Sequence, residues 1–458
     1  MKKKLIGILL VVIMVISCAI PVLAGEEPPI ENESLLDIIK PHVNSVDDEI
    51  SRGAFSYLLV NAINMQVEDI KEDIALPRDL DDEWHKDAIL TLWKEGIMKG
   101  VPGGNTYPND SITVLQARTL VARTYGIPDE VIFGDISERE NGLDERLYSY
   151  IESYFVGDAD GKISVKEAID MFSGFFETDE VADEIMIKNE EITNVIKSFR
   201  VSGNLGVEMV LAGEIDEEVP PMMDFEFIME LSSDNKIKQK YVGNVPELPI
   251  ALEMTQYMDK DYIYTAISDE EGTQQWMKMK NFVAFVFDED FIDEKKNEMF
   301  YMDTDLVTSY KLFGEKNIDG NECHELVFFT RIDNKEKLVE VYEAMPGMDD
   351  SIKELMKESL NIMDKIILKG IMYIGKEDNL LYKSDLSYDI YLNEEMQADS
   401  PIKMEVMSFD MYMNYSDYGE EIIIEIPQEA IDTDEIDLFG DFDFDDVDIE
   451  ALDEIELE

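Results

Sequence analysis

The sequence predicts a multidomain α + (α+β) protein, in which a bundle of repeated helical hairpins is followed by a long antiparallel meander with a helical insertion. Three observations predict it. Residues from Asp81 to Ile127 read as one complete helix-loop-helix module, its spacing recurs at fixed offsets on both sides, and from Phe199 onward the apolar period changes from helix to strand.

In the complete module, Trp84, Ala88, Ile89, Leu92 and Trp93 share one face at helical spacing, and Gly96 is placed to end the helix in a left-handed turn before Ile97. Gly100, Gly103 and Gly104 make a tight loop. After Pro108, Thr113 and Gln116 have the spacing of a capping box, and Ala117, Leu120, Val121 and Thr124 continue the buried face up to Gly126. Ile50-Ser51, Ile112-Thr113 and Ile163-Ser164 then open three helices in one register. Leu58, Leu120 and Met171 stand eight residues after each Ile, and Leu59, Val121 and Phe172 stand nine after. A single hairpin buries only one face, so stability requires packing against its neighbours. Modules are expected at about 30–66, 78–127 and 130–176, the first of them truncated, with a linker helix at 177–198.

The layout resembles the S-layer homology module, through Asp82, Trp84, Gly96-Ile97-Met98-Lys99-Gly100 and Ile112-Thr113. The resemblance implies a three-module α-helical bundle whose grooves bind a secondary cell-wall polysaccharide. The matching binding positions are Arg52, Trp84 and Gly100: a guanidinium for an acidic glycan, an aromatic ring for a sugar, and a glycine for close approach. Val114 and Val165 stand where the other two repeats would carry the arginine.

Lys2, Lys3 and Lys4 precede the apolar run Leu5 to Ile16, and Val22-Leu23-Ala24 offers a cleavage site, so residues 1–24 read as a signal peptide. Val15-Ile16-Ser17-Cys18 also resembles a lipobox, which gives the alternative of a lipoprotein anchored through Cys18. Cleaved after Ala24, the chain keeps only Cys323, which leaves no intrachain disulfide. The net charge of −64, from 103 acidic and 39 basic residues, excludes nucleic acid as a partner, because phosphate binding needs clustered Lys and Arg. An acidic tail with Phe439, Phe442 and Phe444 is expected at 431–458.

In the second half, strand alternation is expected around Val207 to Leu211, Phe225 to Met229, Ile263-Tyr264 and Trp276 to Met279. It resumes at Ile366 to Gly375, Leu380 to Leu392, Ile402 to Asn414 and Ile422 to Ile426. Helices are expected at Asp305 to Phe313 and Lys335 to Lys365. The order resembles the LolA-like half-barrels, carried by Ala251-Leu252-Glu253-Met254, Asp261-Tyr262-Ile263-Tyr264, Gln275-Trp276-Met277-Lys278-Met279 and Ile424-Glu425-Ile426-Pro427-Gln428-Glu429-Ala430. It implies an antiparallel half-β-barrel over 199–430 that encloses a lipid or other hydrophobic ligand without catalysis. Met222, Met223, Met254, Met258, Met277, Met279, Met404, Met407, Met411 and Met413 fit either an ordinary core or an adaptable apolar lining.

No metal, cofactor or catalytic site is expected. Thioether copper would want His or Cys nearby, and only His324 and Cys323 occur in this half. Asp158, Asp160 and Glu167 resemble part of a calcium loop, but Val156 stands at its first position and a capping box at Ser164 and Glu167 accounts for the same residues. The expected function is a non-enzymatic cell-surface protein, held to the cell wall by degenerate modules, with a C-terminal domain for a hydrophobic ligand. The alternative is a structural or interaction protein of a surface layer with no small ligand, and a wall-active hydrolase is a third reading.

Overall fold

The computed structural model describes residues 32–65, 76–80, 83–101, 104–134, 142–211, 222–244, 251–268, 273–281, 307–332, 363–393 and 404–436. The expected signal peptide with Cys18, the residues Asp82 and Gly103, the expected helix over 335–365 up to residue 362 and the expected tail beyond 436 lie outside them; the last three residues of that expected helix are corrected, since Met363 to Lys365 open a strand. Among the described residues no helix is long and apolar enough to cross a membrane.

The helical unit comprises α1 (Asn32–Ile39), α2 (Arg52–Ala62), α3 (Lys86–Lys94), α4 (Val114–Thr124), the short α5 (Asp129–Phe133), α6 (Leu143–Ser153) and α7 (Val165–Phe176). The three register-bearing motifs meet in a closed ring: Glu49 bridges to Ser164, Ser51 to Ser111 and Thr113 to Lys162. Within it the Ile50 N–H donates to the Ile163 carbonyl at 2.8 Å and the Ile112 N–H to the Ile50 carbonyl at 3.0 Å. Each helix then starts on a hydroxyl cap. Ser51 accepts from the Ala54 N–H, while Thr113 with Gln116 and Ser164 with Glu167 both form complete capping boxes. Ile50, Ile112 and Ile163 are buried together in one core.

Trp84 departs from expectation. Helix α3 begins only at Lys86, and the buried side chain before it is His85, 2% exposed and lying where a Cβ on Gly53 would collide with its ring. Trp84 is turned outward and is 37% exposed.

The second half is an eleven-stranded antiparallel sheet with strand order β6-β5-β4-β3-β2-β1-β11-β10-β9-β8-β7. Its strands are β1 (Phe199–Leu211), β2 (Met222–Leu231), β3 (Ile237–Asn244), β4 (Ala251–Met258), β5 (Tyr262–Ser268), β6 (Gln274–Lys280), β7 (Val307–Ile318), β8 (Asn321–Ile332), β9 (Met363–Gly375), β10 (Leu381–Leu392) and β11 (Met404–Ser416). First and last strands pair in the middle, with Leu205 opposite Met411 and Val201 opposite Tyr415.

The expected helix at Asp305 to Phe313 is corrected: from Val307 onward this chain is β7. Its buried face toward the helical unit carries Ser309 and Lys311, which hides the polar/apolar alternation. Both are satisfied there, since Ser309 Oγ donates to the Phe175 carbonyl at 3.0 Å and Lys311 Nζ to the Ser173 carbonyl at 3.1 Å. Ile422 to Ile426 was expected as a strand but joins no ladder, and it leads into the short α9 (Gln428–Asp432), which packs on β5 and β6. The first part of the expected tail is docked: Glu435 bridges to Lys278, and the Ile436 N–H donates to the Lys278 carbonyl.

Helix α8 (Glu180–Val195), in the region expected as a linker, packs on the sheet. The Asp179 side chain caps it through the Ala182 N–H and also accepts from the Leu312 N–H at 2.9 Å, which fastens the helix to edge strand β7.

The helical unit and one face of β8 to β10 share a core. Cys323, Val327, Phe329, Ile367, Ile371 and Tyr373 belong to the same cluster as Phe55, Leu58 and Phe172, and Tyr125 stacks on Phe329 at 4.2 Å. Charges are buried at this seam. Lys369 Nζ lies 2.8 Å from Asp144 and 3.9 Å from Asp389 and donates to the Gly126 carbonyl, while Glu95 holds both Arg331 and Lys365, and Arg146 pairs with Asp385. Burial alone would lower the Lys369 pKa, but Asp144 and Asp389 hold it above the ordinary lysine value. Burial would likewise raise Glu95, yet Lys365 and Arg331 keep it below the ordinary carboxylate value.

Lys369→Met leaves two carboxylates at the seam without their cation. The expected loss is about 3–5 kcal/mol in urea unfolding, with helical and sheet signals disappearing in one transition. A loss below about 1 kcal/mol, the range of exposed pairs, would contradict the seam's role.

Candidate functional site

Alternation along each strand sorts the sheet into two faces. One carries the seam at β8 to β10 and, at β1 to β4, a solvated set of charges such as Arg200 with Glu230 and Lys240 with Glu253, each pair at 2.8 Å. The other is apolar. Its buried cluster includes Val201, Leu205 and Val207 of β1, Met223 and Phe225 of β2, Met254 of β4, and Met407, Phe409, Met411 and Met413 of β11. It continues onto Leu326, Phe328, Leu368, Leu386 and Ile390.

Of the methionines singled out from sequence, Met223, Met254, Met407, Met411 and Met413 are buried in this cluster, and Met404 packs beside it. Met258 and Met279 form a smaller patch with Ile263. The structure adds Met209, with Met186, Met229, Met363 and Met372 partly buried alongside. By the ladder registers, the positions on this face along the described β1 to β6 carry no Asp, Glu, Lys or Arg. In a chain with 103 acidic residues, this buried face is free of charge along β1 to β6.

Among the described residues α8 is the one helix in this cluster, through Ala182 and Ile185. Its 16 residues span about 24 Å by about 10 Å. The eleven strands extend over about 48 Å, so the face is wider than this helical cover.

On β3 to β5 the apolar face is interrupted by a polar row. Gln239, Gln256 and Thr265 are directly opposite one another across β3, β4 and β5, and all are buried. Gln256 Nε2 donates to Thr265 Oγ1 at 3.1 Å, the Tyr241 hydroxyl donates to Gln239 Oε1 at 3.3 Å, and Gln239 Nε2 meets the Met229 thioether at 3.4 Å. Sequence reading missed this row, because β3 shows no clean alternation when Gln239 occupies an inward position.

In the helical unit, Arg52 Nε donates to Gln116 Oε1 and Nη1 to the Tyr107 carbonyl, both at 3.1 Å, and Asp110 lies at 3.5 Å. The guanidinium thus joins the starts of two modules through Gln116, whose Oε1 also accepts from the Thr113 N–H. Trp84 stacks on His42 at 3.9 Å and meets Tyr57 edge-on at 5.0 Å, an aromatic set the sequence did not single out. Gly100 has φ +68°, and a Cβ there would lie 2.7 Å from the Trp93 ring and 2.9 Å from the Asn105 carbonyl. The 105–110 loop connects these positions, with Asp79 accepting from the Thr106 and Tyr107 N–H groups. Burial raises the Asp79 pKa, but these hydrogen bonds outweigh it and leave the carboxyl below its ordinary value. Val114 and Val165, at the positions that match Arg52, are buried in the shared core.

Glu167 is occupied by its cap, accepting from the Ser164 N–H at 2.7 Å and hydroxyl at 2.8 Å. Burial, then the nearby Asp378 and Glu322, push the Cys323 thiol up to about 11, which keeps it protonated and a poor nucleophile at neutral pH.

An open antiparallel sheet with one methionine-rich face, free of charge along β1 to β6, is the class that fold and site define. Solved structures similar to the chain include LprF from Mycobacterium bovis, at 10% identity and TM-score 0.29, covering 55% of this chain and 98% of that one. Lipoprotein LppX from Mycobacterium tuberculosis is similar at 11% identity and TM-score 0.26, covering 54% and 100%. A putative outer membrane lipoprotein-sorting protein domain from Vibrio parahaemolyticus follows at 6% identity and TM-score 0.19, covering 51% and 90%. Likenesses of this size assign neither a family nor a ligand. No family model matches the chain, and no curated protein matches it.

Proposed function

We propose that this chain is a non-enzymatic cell-surface protein whose half-barrel sheet holds a lipid or other hydrophobic ligand on its apolar face, while the S-layer homology-like modules attach it to a secondary cell-wall polysaccharide. The observation that carries the ligand reading is the exclusion of charge from one face of β1 to β6 together with the concentration of methionine there. Unbranched thioethers re-pack around chains of different length at low cost, which suits variable contents better than a single close-packed core does.

The attachment reading is supported by the closed ring of module starts and by the exposed Trp84 beside His42 and Tyr57. Arg52, bound to Gln116 and Tyr107, serves there first as the brace of the loop next to the aromatic set.

Displacement of a fluorescent acyl probe from the delipidated mature chain tests the ligand reading. Binding is expected, Met223→Leu should keep it, and Met411→Glu should weaken it at least about tenfold, since a carboxylate on this face goes unpaired. Thermal melts of each variant separate lost binding from lost folding. An unsubstituted chain that takes up no probe and carries no extractable lipid contradicts the reading.

For attachment, the mature chain should be retained on isolated Gram-positive walls but not on walls stripped of their secondary polysaccharide, and Trp84→Ala should reduce retention several-fold. Equal retention on both walls removes the polysaccharide as partner.

A further inference from the structure

We infer that the ligand of the apolar face is an uncharged lipid, with its hydroxyl, ester or amide head seated on the buried Gln239, Gln256 and Thr265 row and its chains running over the methionines. The inference rests on the lipid reading and narrows it to a chemical class.

Charge decides against an anionic head. A carboxylate or phosphate on this face would be stripped of water with no lysine or arginine beside it, because the inward positions of β1 to β6 hold none. The nearby cations Lys238 and Lys240 project from the other face, where they pair with Glu230 and Glu253. Leaving an ion unpaired in such a place costs several kcal/mol, and the net charge of −64 adds repulsion at longer range. A cationic head fails for the same local reason, since that face of β1 to β6 offers it no carboxylate.

The polar row decides against a ligand that is hydrocarbon alone. Two glutamine amides and a threonine hydroxyl are buried in mutual register among the apolar inward positions of β3 to β5, where leucine or methionine would pack without desolvating anything. The row is uncharged and presents both donors and acceptors, as a neutral head requires. Gln239 is held by the Tyr241 hydroxyl at its oxygen, yet its amide nitrogen meets a thioether, a weak acceptor. An ester or hydroxyl oxygen from a ligand is a stronger one. The row thus reads as a specificity element at a fixed depth on the face, set by the rigid ladder of β3 to β5 rather than by a loop.

The test uses the full mature chain and competition between dioleoylglycerol, oleate and dioleoylphosphatidylglycerol for the acyl probe at neutral pH. Dioleoylglycerol is expected to compete at least about tenfold better than either anion. The variant carrying Gln239→Leu and Gln256→Leu should lose that advantage while still binding the uncharged hydrocarbon probe diphenylhexatriene. Gln256→Asn, which keeps the polarity and shortens the reach, should lose part of it and serves where the double variant melts early. Oleate or the phospholipid binding as well as the diacylglycerol overturns this inference and leaves lipid binding standing. An undiminished preference in both variants overturns the role of the row, whereas failure of every lipid and probe removes the lipid reading itself.

Discussion

Lys369 lies almost wholly buried between the helical unit and the sheet, bound to Asp144, Asp389 and the carbonyl of Gly126, and the arrangement of the rest of the protein depends on it and its neighbours. A buried cation is tolerable only when its partners are placed within reach. Here one carboxylate comes from α6 and one from β10, while the carbonyl comes from the end of α4. Glu95 with Arg331 and Lys365, and Arg146 with Asp385, repeat the device at two further points of the same seam. With Tyr125 stacked on Phe329, these contacts dedicate one face of β8 to β10 to the helices. The opposite face carries the second, methionine-rich cluster.

That division explains the sequence pattern on either side. Strands β8 and β9 are buried on both faces, so they show near-continuous burial instead of alternation. Strands β1 and β2 have one face in solvent, and there the alternation of Val201, Leu205, Val207 and of Met223, Phe225, Phe227 with charged or polar residues is legible without a structure. The helical repeats were equally legible, because Ile50, Ile112 and Ile163 recur with a hydroxyl cap beside each, and caps are local chemistry. The ring they form is a tertiary contact that only the offsets hinted at.

The misreadings have the same physical origin. Strand β7 carries Ser309 and Lys311 at positions where an isolated strand would bury apolar side chains, and their partners are backbone carbonyls more than a hundred residues earlier. Trp84 was placed on the buried face of α3 because its spacing fits, but His85 takes the space against Gly53 and turns the indole out. At Arg52 the structure adds contacts that the sequence did not show, to Gln116 and the Tyr107 carbonyl. On the apolar face the methionines were visible as composition, but which of them face together, and where Gln239 and Gln256 interrupt them, followed from strand register alone.

The protein is in this account a sheet with two separate duties, welded to helices on one side and keeping an uncharged, adaptable surface on the other. The most direct measurement is an experimental density map of the chain purified from its native envelope without detergent exchange. The account predicts continuous elongated density over Met223, Met254 and Met411 with one end against Gln239 and Gln256. A map in which the protein's own side chains close that space completely, with no added density, would contradict it.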